Sequence, residues 1–177
     1  MFESASPFLT AWSSFYAMTG SAAATLTGLM FVVITLVTGR EMQRSQDGIS
    51  TFSTPTVTHF AAALLISAVL LAPWHRLTYA AISVALIGLY GVAYVVRIMT
   101  RAKRVAEYTA DLEDWVWYTV LPLVAYGLIA AAAIVLMFAP GKALFAIGGS
   151  VVLLILIGIR DAWDVVTFLV VGGGRAT

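Results

Sequence analysis

The 177-residue sequence contains no cysteine, two histidines and few charged residues, which make up 11% of the chain. Without cysteine there is no disulfide, thiolate metal site or cysteine nucleophile. A soluble domain of this size carries roughly 25% charged residues, so these charges are too few to cover a surface that faces water. Soluble enzyme folds and disordered tails are therefore excluded, and the net charge of +1 predicts no nucleic-acid partner.

Motifs of familiar catalytic and channel proteins are also absent from the sequence. It has no P-loop, no dinucleotide-binding glycine pattern, no HExxH zinc motif and no G-x-S-x-G nucleophile elbow. It has no potassium-filter sequence, and no ladder of arginines that would make a voltage sensor. These absences favour a role other than catalysis, although they leave an enzyme open.

Hydrophobic length is what the sequence has in abundance, with 61% hydrophobic residues and a mean hydropathy of +0.95. A transmembrane helix needs about 20 apolar residues to cross roughly 30 Å of hydrocarbon. Uncharged runs predict an all-α integral membrane protein, a five-span transmembrane helical bundle that forms one domain over residues 1–177. The predicted spans are about 12–38, 55–73, 77–97, 115–139 and 143–171.

Prolines suggest where several of these helices begin, end or bend. Pro7 and Pro55 each follow a Ser or Thr, a pattern typical of an N-cap before the first helical residue. Pro140, followed by glycine, predicts the end of the fourth span. Pro122 lies inside that span and predicts a kink that frees the carbonyl of Tyr118.

The distribution of Lys and Arg predicts the orientation. With five spans, eight of these residues fall on one side and two on the other, and the richer side is expected to be cytoplasmic. We therefore place the N-terminus outside and the C-terminus in the cytoplasm, in a plasma (inner) membrane of bacterial type. The first group comprises Arg40, Arg44, Arg97, Arg101, Lys103, Arg104, Arg160 and Arg175, and the second comprises Arg76 and Lys142.

The third span is expected to continue into the cytoplasm as a helix over about residues 97–114. Charged and polar residues recur there at a spacing of four and three, which places them on one helix face. The basic part of this face suits anionic lipid headgroups or another phosphate group. The residues predicted to make these contacts are Arg97, Arg101, Lys103 and Arg104.

The first span carries a stripe of small residues. Gly20, Ala24 and Gly28 recur every four residues, so they share one face and predict close helix packing, within the protomer or between protomers. We expect self-association through this face. Hydroxyl groups further along, at Thr35 and Thr38, are candidates for the wall of an ion pathway.

Acidic residues gather at the predicted cytoplasmic ends of the last two spans. Asp111 with Asp114, and Asp161 with Asp164, each form a DxxD pattern, and His59 is expected at a similar depth. In a homo-oligomer, Asp161 and Asp164 would form an acidic mouth that attracts cations. Together with His59, the four carboxylates also suit a divalent cation such as Mg²⁺. A purely structural interpretation pairs Asp161 and Asp164 with Arg97 or Arg101.

Three hypotheses for the function follow. The first is a homo-oligomeric membrane protein that forms or lines a pathway for ions or small solutes. The second is a non-catalytic accessory or scaffold subunit of a membrane complex. The third is a divalent-metal-dependent enzyme that acts on a lipid phosphate or diphosphate at the cytoplasmic interface.

Overall fold

The computed structural model describes residues 7–38, 46–102 and 115–172. Over these ranges the chain forms helices joined by short turns, without a strand, so the all-α class is confirmed. The elements are α1 (Pro7–Thr38), α2 (Gln46–Leu71), α3 (Leu77–Ala102), a π-helical segment (Val116–Val120), α4 (Leu121–Val135) and α5 (Pro140–Gly172).

Four of the described helical stretches are long and apolar enough to cross a membrane. They are Pro7–Thr35, Leu77–Thr100, Val116–Val135 and Pro140–Thr167. The apolar part of α2, Pro55–Leu71, is shorter. The described helices therefore have the lengths and compositions of an integral membrane protein.

Two of the three predicted helix boundaries at prolines are corrected by the structure. Helix α1 begins at Pro7, as expected. Helix α2 begins at Gln46 and contains Pro55 in its interior, because a proline removes one backbone donor but need not end the flanking turns. Pro140 opens α5 and does not close the preceding helix, since proline suits the first helical position.

The irregularity expected before Pro122 takes the form of the π-helical segment. The backbone N–H of Leu121 donates to the carbonyl of Val116, five residues earlier. A proline cannot donate a backbone hydrogen bond and its ring crowds the preceding turn, so a local change to the wider π geometry is physically reasonable.

Helix α3 extends beyond the predicted end of its span. It continues five residues past Arg97, to Ala102, and so includes Arg101. The rest of the predicted cytoplasmic extension, residues 103–114, lies outside the described residues. Lys103, Arg104, Asp111 and Asp114 belong to that part of the chain.

Helix α5 is the central element of the bundle. It contacts α1, α2 and α4, whereas α3 packs mainly against α4, and α1 packs mainly against α2. Its core side chains recur every three or four residues, the spacing of one buried helix face. These fully buried residues are Leu144, Ile147, Val151, Leu154 and Ile157.

Candidate functional site

Three polar side chains meet inside the bundle where α2, α4 and α5 pack together. They are His59 of α2, Tyr126 of α4 and Asp161 of α5, and we refer to them as the buried polar chain. Their exposed fractions are 3%, 1% and 2%, respectively. Polar groups buried this deeply in an apolar bundle are expensive unless they are paired, and they therefore mark candidate sites.

The imidazole of His59 stands between a phenol and a carboxylate. Its Nδ1 atom is 3.0 Å from the hydroxyl oxygen of Tyr126, which is hydrogen-bond distance. Its Nε2 atom is 4.0 Å from Oδ2 of Asp161, which is too long for a direct hydrogen bond. Among the residues that the structure describes, neither carboxylate oxygen of Asp161 has a hydrogen-bond partner.

Two glycines hold the surroundings of this chain in place. The ring of Tyr126 lies directly against Gly91 of α3, where a Cβ atom would overlap the ring. The ring of Phe60, next to His59 in the sequence, lies in the same way against Gly158 of α5. The helices therefore approach closely at this level, and the absence of two side chains determines where Tyr126 and Phe60 lie.

Asp164 lies one turn further along α5 and has very different surroundings. The hydroxyl of Tyr118 donates to its Oδ2 atom over 2.9 Å, and Nε of Arg160 is 3.4 Å from the same oxygen. The guanidinium of Arg160 also lies over the ring of Trp117, 5.2 Å from its centre. The π-helical segment thus contributes Trp117 and Tyr118 to a satisfied cluster around Asp164.

Asp164 is not paired with Arg97 among the described side chains, and the side chain of Arg101 lies outside them. The described partner of Asp164 is Arg160, because residues four apart on a helix are neighbours on its surface. Arg160 is adjacent to Asp161 in the sequence but reaches the carboxylate one turn away. Arg97 is exposed.

The small-residue stripe of α1 divides between two environments. Gly20 is buried, and a Cβ atom there would lie 3.0 Å from Cβ of Ser67 on α2. Ala24 and Gly28 are exposed. Thr35 is also exposed and donates its hydroxyl to the carbonyl of Val32, while Thr38 is the last residue of α1.

The structure brings together only part of the candidate metal set. His59 and Asp161 are neighbours, whereas Asp164 is engaged with Arg160 and Tyr118. Asp111 and Asp114 lie outside the described residues. Within the described ranges, no group of three His, Cys, Asp or Glu side chains lies close enough to hold a metal ion.

Tyr126 and Gly91 are members of the site that sequence reasoning missed. Tyr126 is the one side chain with a hydrogen-bonding group between Leu121 and Ala139. An isolated hydroxyl in so long an apolar run needs a partner on another helix, and that requirement was an available signal. Gly91 gave no comparable signal, since its role depends on which ring packs against it.

Chemically, the buried polar chain is an acid–base series sealed inside the bundle. Phenol, imidazole and carboxyl groups can each hold or release a proton, and they need no substrate-sized opening to do so. Comparison with protein-family models, with curated proteins and with solved structures gives no match.

Proposed function

We propose that the protein is a small polytopic membrane protein that provides a pathway for cations, with Asp161 as the group that attracts them. The observation that carries this proposal is the burial of Asp161, 2% exposed in a helix apolar enough to span a membrane and without a described hydrogen-bond partner. Ionisable groups in such positions are costly and typically serve transport or proton relay.

The location of Asp161 refines the acidic mouth expected from the sequence. Asp161 lies inside the protomer and faces His59, whereas Asp164 is 36% exposed and neutralised by Arg160. The proposed pathway therefore passes through the bundle of each protomer and does not require a ring of carboxylates around an axis between protomers.

Five membrane crossings remain part of the proposal. Short turns at 72–76 and 136–139 favour antiparallel neighbours, and the apolar part of α2 crosses about 26 Å at 1.5 Å per residue. With the N-terminus outside and the C-terminus in the cytoplasm, Lys and Arg then follow the positive-inside pattern. Self-association through the exposed Ala24 and Gly28 also belongs to the proposal.

Cation flux into proteoliposomes tests the proposed pathway. The experiment compares the wild type with Asp161→Asn, and Asp164→Asn serves as the matched control because it removes the same charge one turn away. We expect Asp161→Asn to lower flux by about tenfold or more, and Asp164→Asn to have a small effect. Absence of flux from folded, inserted wild-type protein would contradict the proposal.

A non-catalytic accessory subunit is the second candidate, and the exposed part of the α1 stripe favours it. Ala24 and Gly28 leave a flat surface that a helix of a partner could approach closely. This role predicts that Ala24→Leu disrupts assembly with the partner while Asp161→Asn has no effect. Co-purification from native membranes separates the two candidates.

A further inference from the structure

We propose that His59 and Asp161 bind one proton between them, and that the ion of the pathway is a proton. The second half of this inference rests on the proposed function, whereas proton binding by the pair can be tested without transport. The argument begins from the 4.0 Å between Nε2 of His59 and Oδ2 of Asp161, both deeply buried.

The buried polar chain offers a metal cation few oxygen ligands. Na⁺, Mg²⁺ and Ca²⁺ prefer about six or more oxygen ligands, whereas Asp161 is the one carboxylate of the buried polar chain and the Tyr126 hydroxyl is already engaged by Nδ1 of His59. The rings of Tyr126 and Phe60 pack tightly against Gly91 and Gly158 at this level of the bundle. A neighbouring groove between α1 and α5 is lined by nonpolar side chains, among them Met30, Phe60 and Val166. A proton needs neither space nor an oxygen shell.

The described titratable and charged groups around His59 and Asp161 have partners of their own, so the net charge of the pair depends on how many protons the pair binds. Helix α3 contributes Tyr94, which hydrogen-bonds with Thr58, and α4 contributes Tyr126. On α5 itself, Arg160 and Asp164 pair with each other.

The titratable group among the described side chains of α1 is Tyr16, which bonds Leu144. Leu144 is 17 residues before Asp161, about 25 Å along the helix. An ionised Asp161 beside a neutral His59 would therefore leave a buried net charge, which is strongly disfavoured.

Uptake of one proton removes that charge and involves only the three members of the chain. Before uptake, Nδ1 accepts from the hydroxyl of Tyr126 and the Nε2 proton faces the ionised Asp161. After uptake, the added proton resides on Nδ1 and is donated to the Tyr126 oxygen, whose own hydrogen turns away. The Nε2 proton is then shared between His59 and Asp161 once the side chains close to hydrogen-bond distance. Tyr126 acts as a positioning residue, because it fixes which nitrogen faces the carboxylate.

Nuclear magnetic resonance of the full chain in lipid nanodiscs tests proton sharing. His75 is exposed in the turn between α2 and α3, so His75→Asn gives a protein whose one imidazole is that of His59. We expect the ¹⁵N signals of His59 and the carboxyl ¹³C signal of Asp161 to move in the same pH transition. Separate transitions for the two groups would overturn the inference, and this measurement needs no variant of the site.

Two substitutions sharpen the result. In Asp161→Asn the His59 transition should shift by about one pH unit or more, because its partner no longer ionises. In Tyr126→Phe the tautomer ratio of His59, read from its two ¹⁵N signals, should change while the fold persists. An unchanged His59 titration in Asp161→Asn would overturn proton sharing.

Flux measurements with separate reporters for H⁺, Na⁺ and K⁺ distinguish the two proposals. Proton flux that Asp161→Asn abolishes supports both of them. A shared transition without flux of any ion leaves proton binding supported and overturns the pathway. Flux of Na⁺ or K⁺ without H⁺ leaves the pathway supported and overturns the proton as its ion.

Discussion

The two ends of the bundle treat their buried polar groups in opposite ways. Near the start of α1, the hydroxyl of Tyr16 donates to the Leu144 carbonyl over 2.9 Å, and the hydroxyls of Thr19 and Ser67 are 3.2 Å apart. The rings of Trp12, Phe15 and Phe145 close around this aromatic end in edge-to-face contacts. Near the other end, Asp161 is equally buried, but its oxygens have no hydrogen-bond partner among the described side chains and backbone.

This contrast separates a structural role from a functional one. A hydroxyl that meets its acceptor stabilises the contact between two helices, and it has little reason to change its state. A carboxyl group 4.0 Å from an imidazole, with no closer partner among the described residues, can change its protonation with small movements of its neighbours. The comparison predicts that substitutions at the aromatic end affect stability, whereas those at the buried polar chain affect function.

The largest expected effect comes from a substitution at Gly91, which supports Tyr126 of the buried polar chain. Gly91→Ala should lower the free energy of unfolding by about 2 kcal/mol, because the added methyl group overlaps the ring of Tyr126. Gly127→Ala is the matched control, since a Cβ atom there meets nothing within 4 Å. Unfolding in lipid nanodiscs measures both, and equal stability of the two variants would contradict the packing described at Gly91.

A smaller loss is expected at the aromatic end. Tyr16→Phe removes the hydrogen bond to the Leu144 carbonyl and should lower the free energy of unfolding by about 1 kcal/mol. Cation flux should stay at the wild-type level, because Tyr16 is remote from Asp161. A variant of normal stability that has lost flux would reverse the proposed division of roles.

Asp161→Asn should act in the opposite direction on stability. A buried carboxylate with no hydrogen-bond partner in the described part of the chain is costly, so its neutral isostere should raise the free energy of unfolding by about 1 kcal/mol while flux is lost. Chemical unfolding at neutral pH provides the measurement. A clear loss of stability would indicate that Asp161 makes a stabilising interaction in the folded protein.

The smallest effect is expected at Asp164. Its pair with Arg160 is about one-third exposed on both side chains, 36% and 35%, and exposed pairs contribute little. Asp164→Asn should therefore change the free energy of unfolding by about 0.5 kcal/mol and leave flux close to that of the wild type. A loss of flux as large as that of Asp161→Asn would place Asp164 in the same functional unit as Asp161.

Much of the architecture could be predicted from local features of the chain. Apolar run length and the positions of charges indicated all five helices, and Pro7 marked the start of α1. The positions of Pro55 and Pro140 were misread because a proline fits both inside a long helix and at its first residue, and neighbouring residues alone do not decide between them.

Only part of the candidate site could be predicted from local features of the sequence. His59 and Asp161 stood out because ionisable residues are rare in apolar runs, but the i, i+3 spacing suggested that Asp161 and Asp164 were alike. Their difference arises from the other helices, since Tyr118 from the π-helical segment reaches Asp164 while Asp161 faces His59. Spacing along one helix does not reveal what packs against each side chain.

The sequence by itself determined that the chain is helical and apolar enough for a membrane, because helix length and hydropathy depend on neighbouring residues. Only the tertiary structure decided that Tyr126, His59 and Asp161 form one buried chain. Tyr126 and Asp161 lie 67 and 102 positions after His59 along the sequence, and the three residues belong to three different helices. Their meeting depends on close approaches at Gly91 and Gly158, which are set by the packing of whole helices.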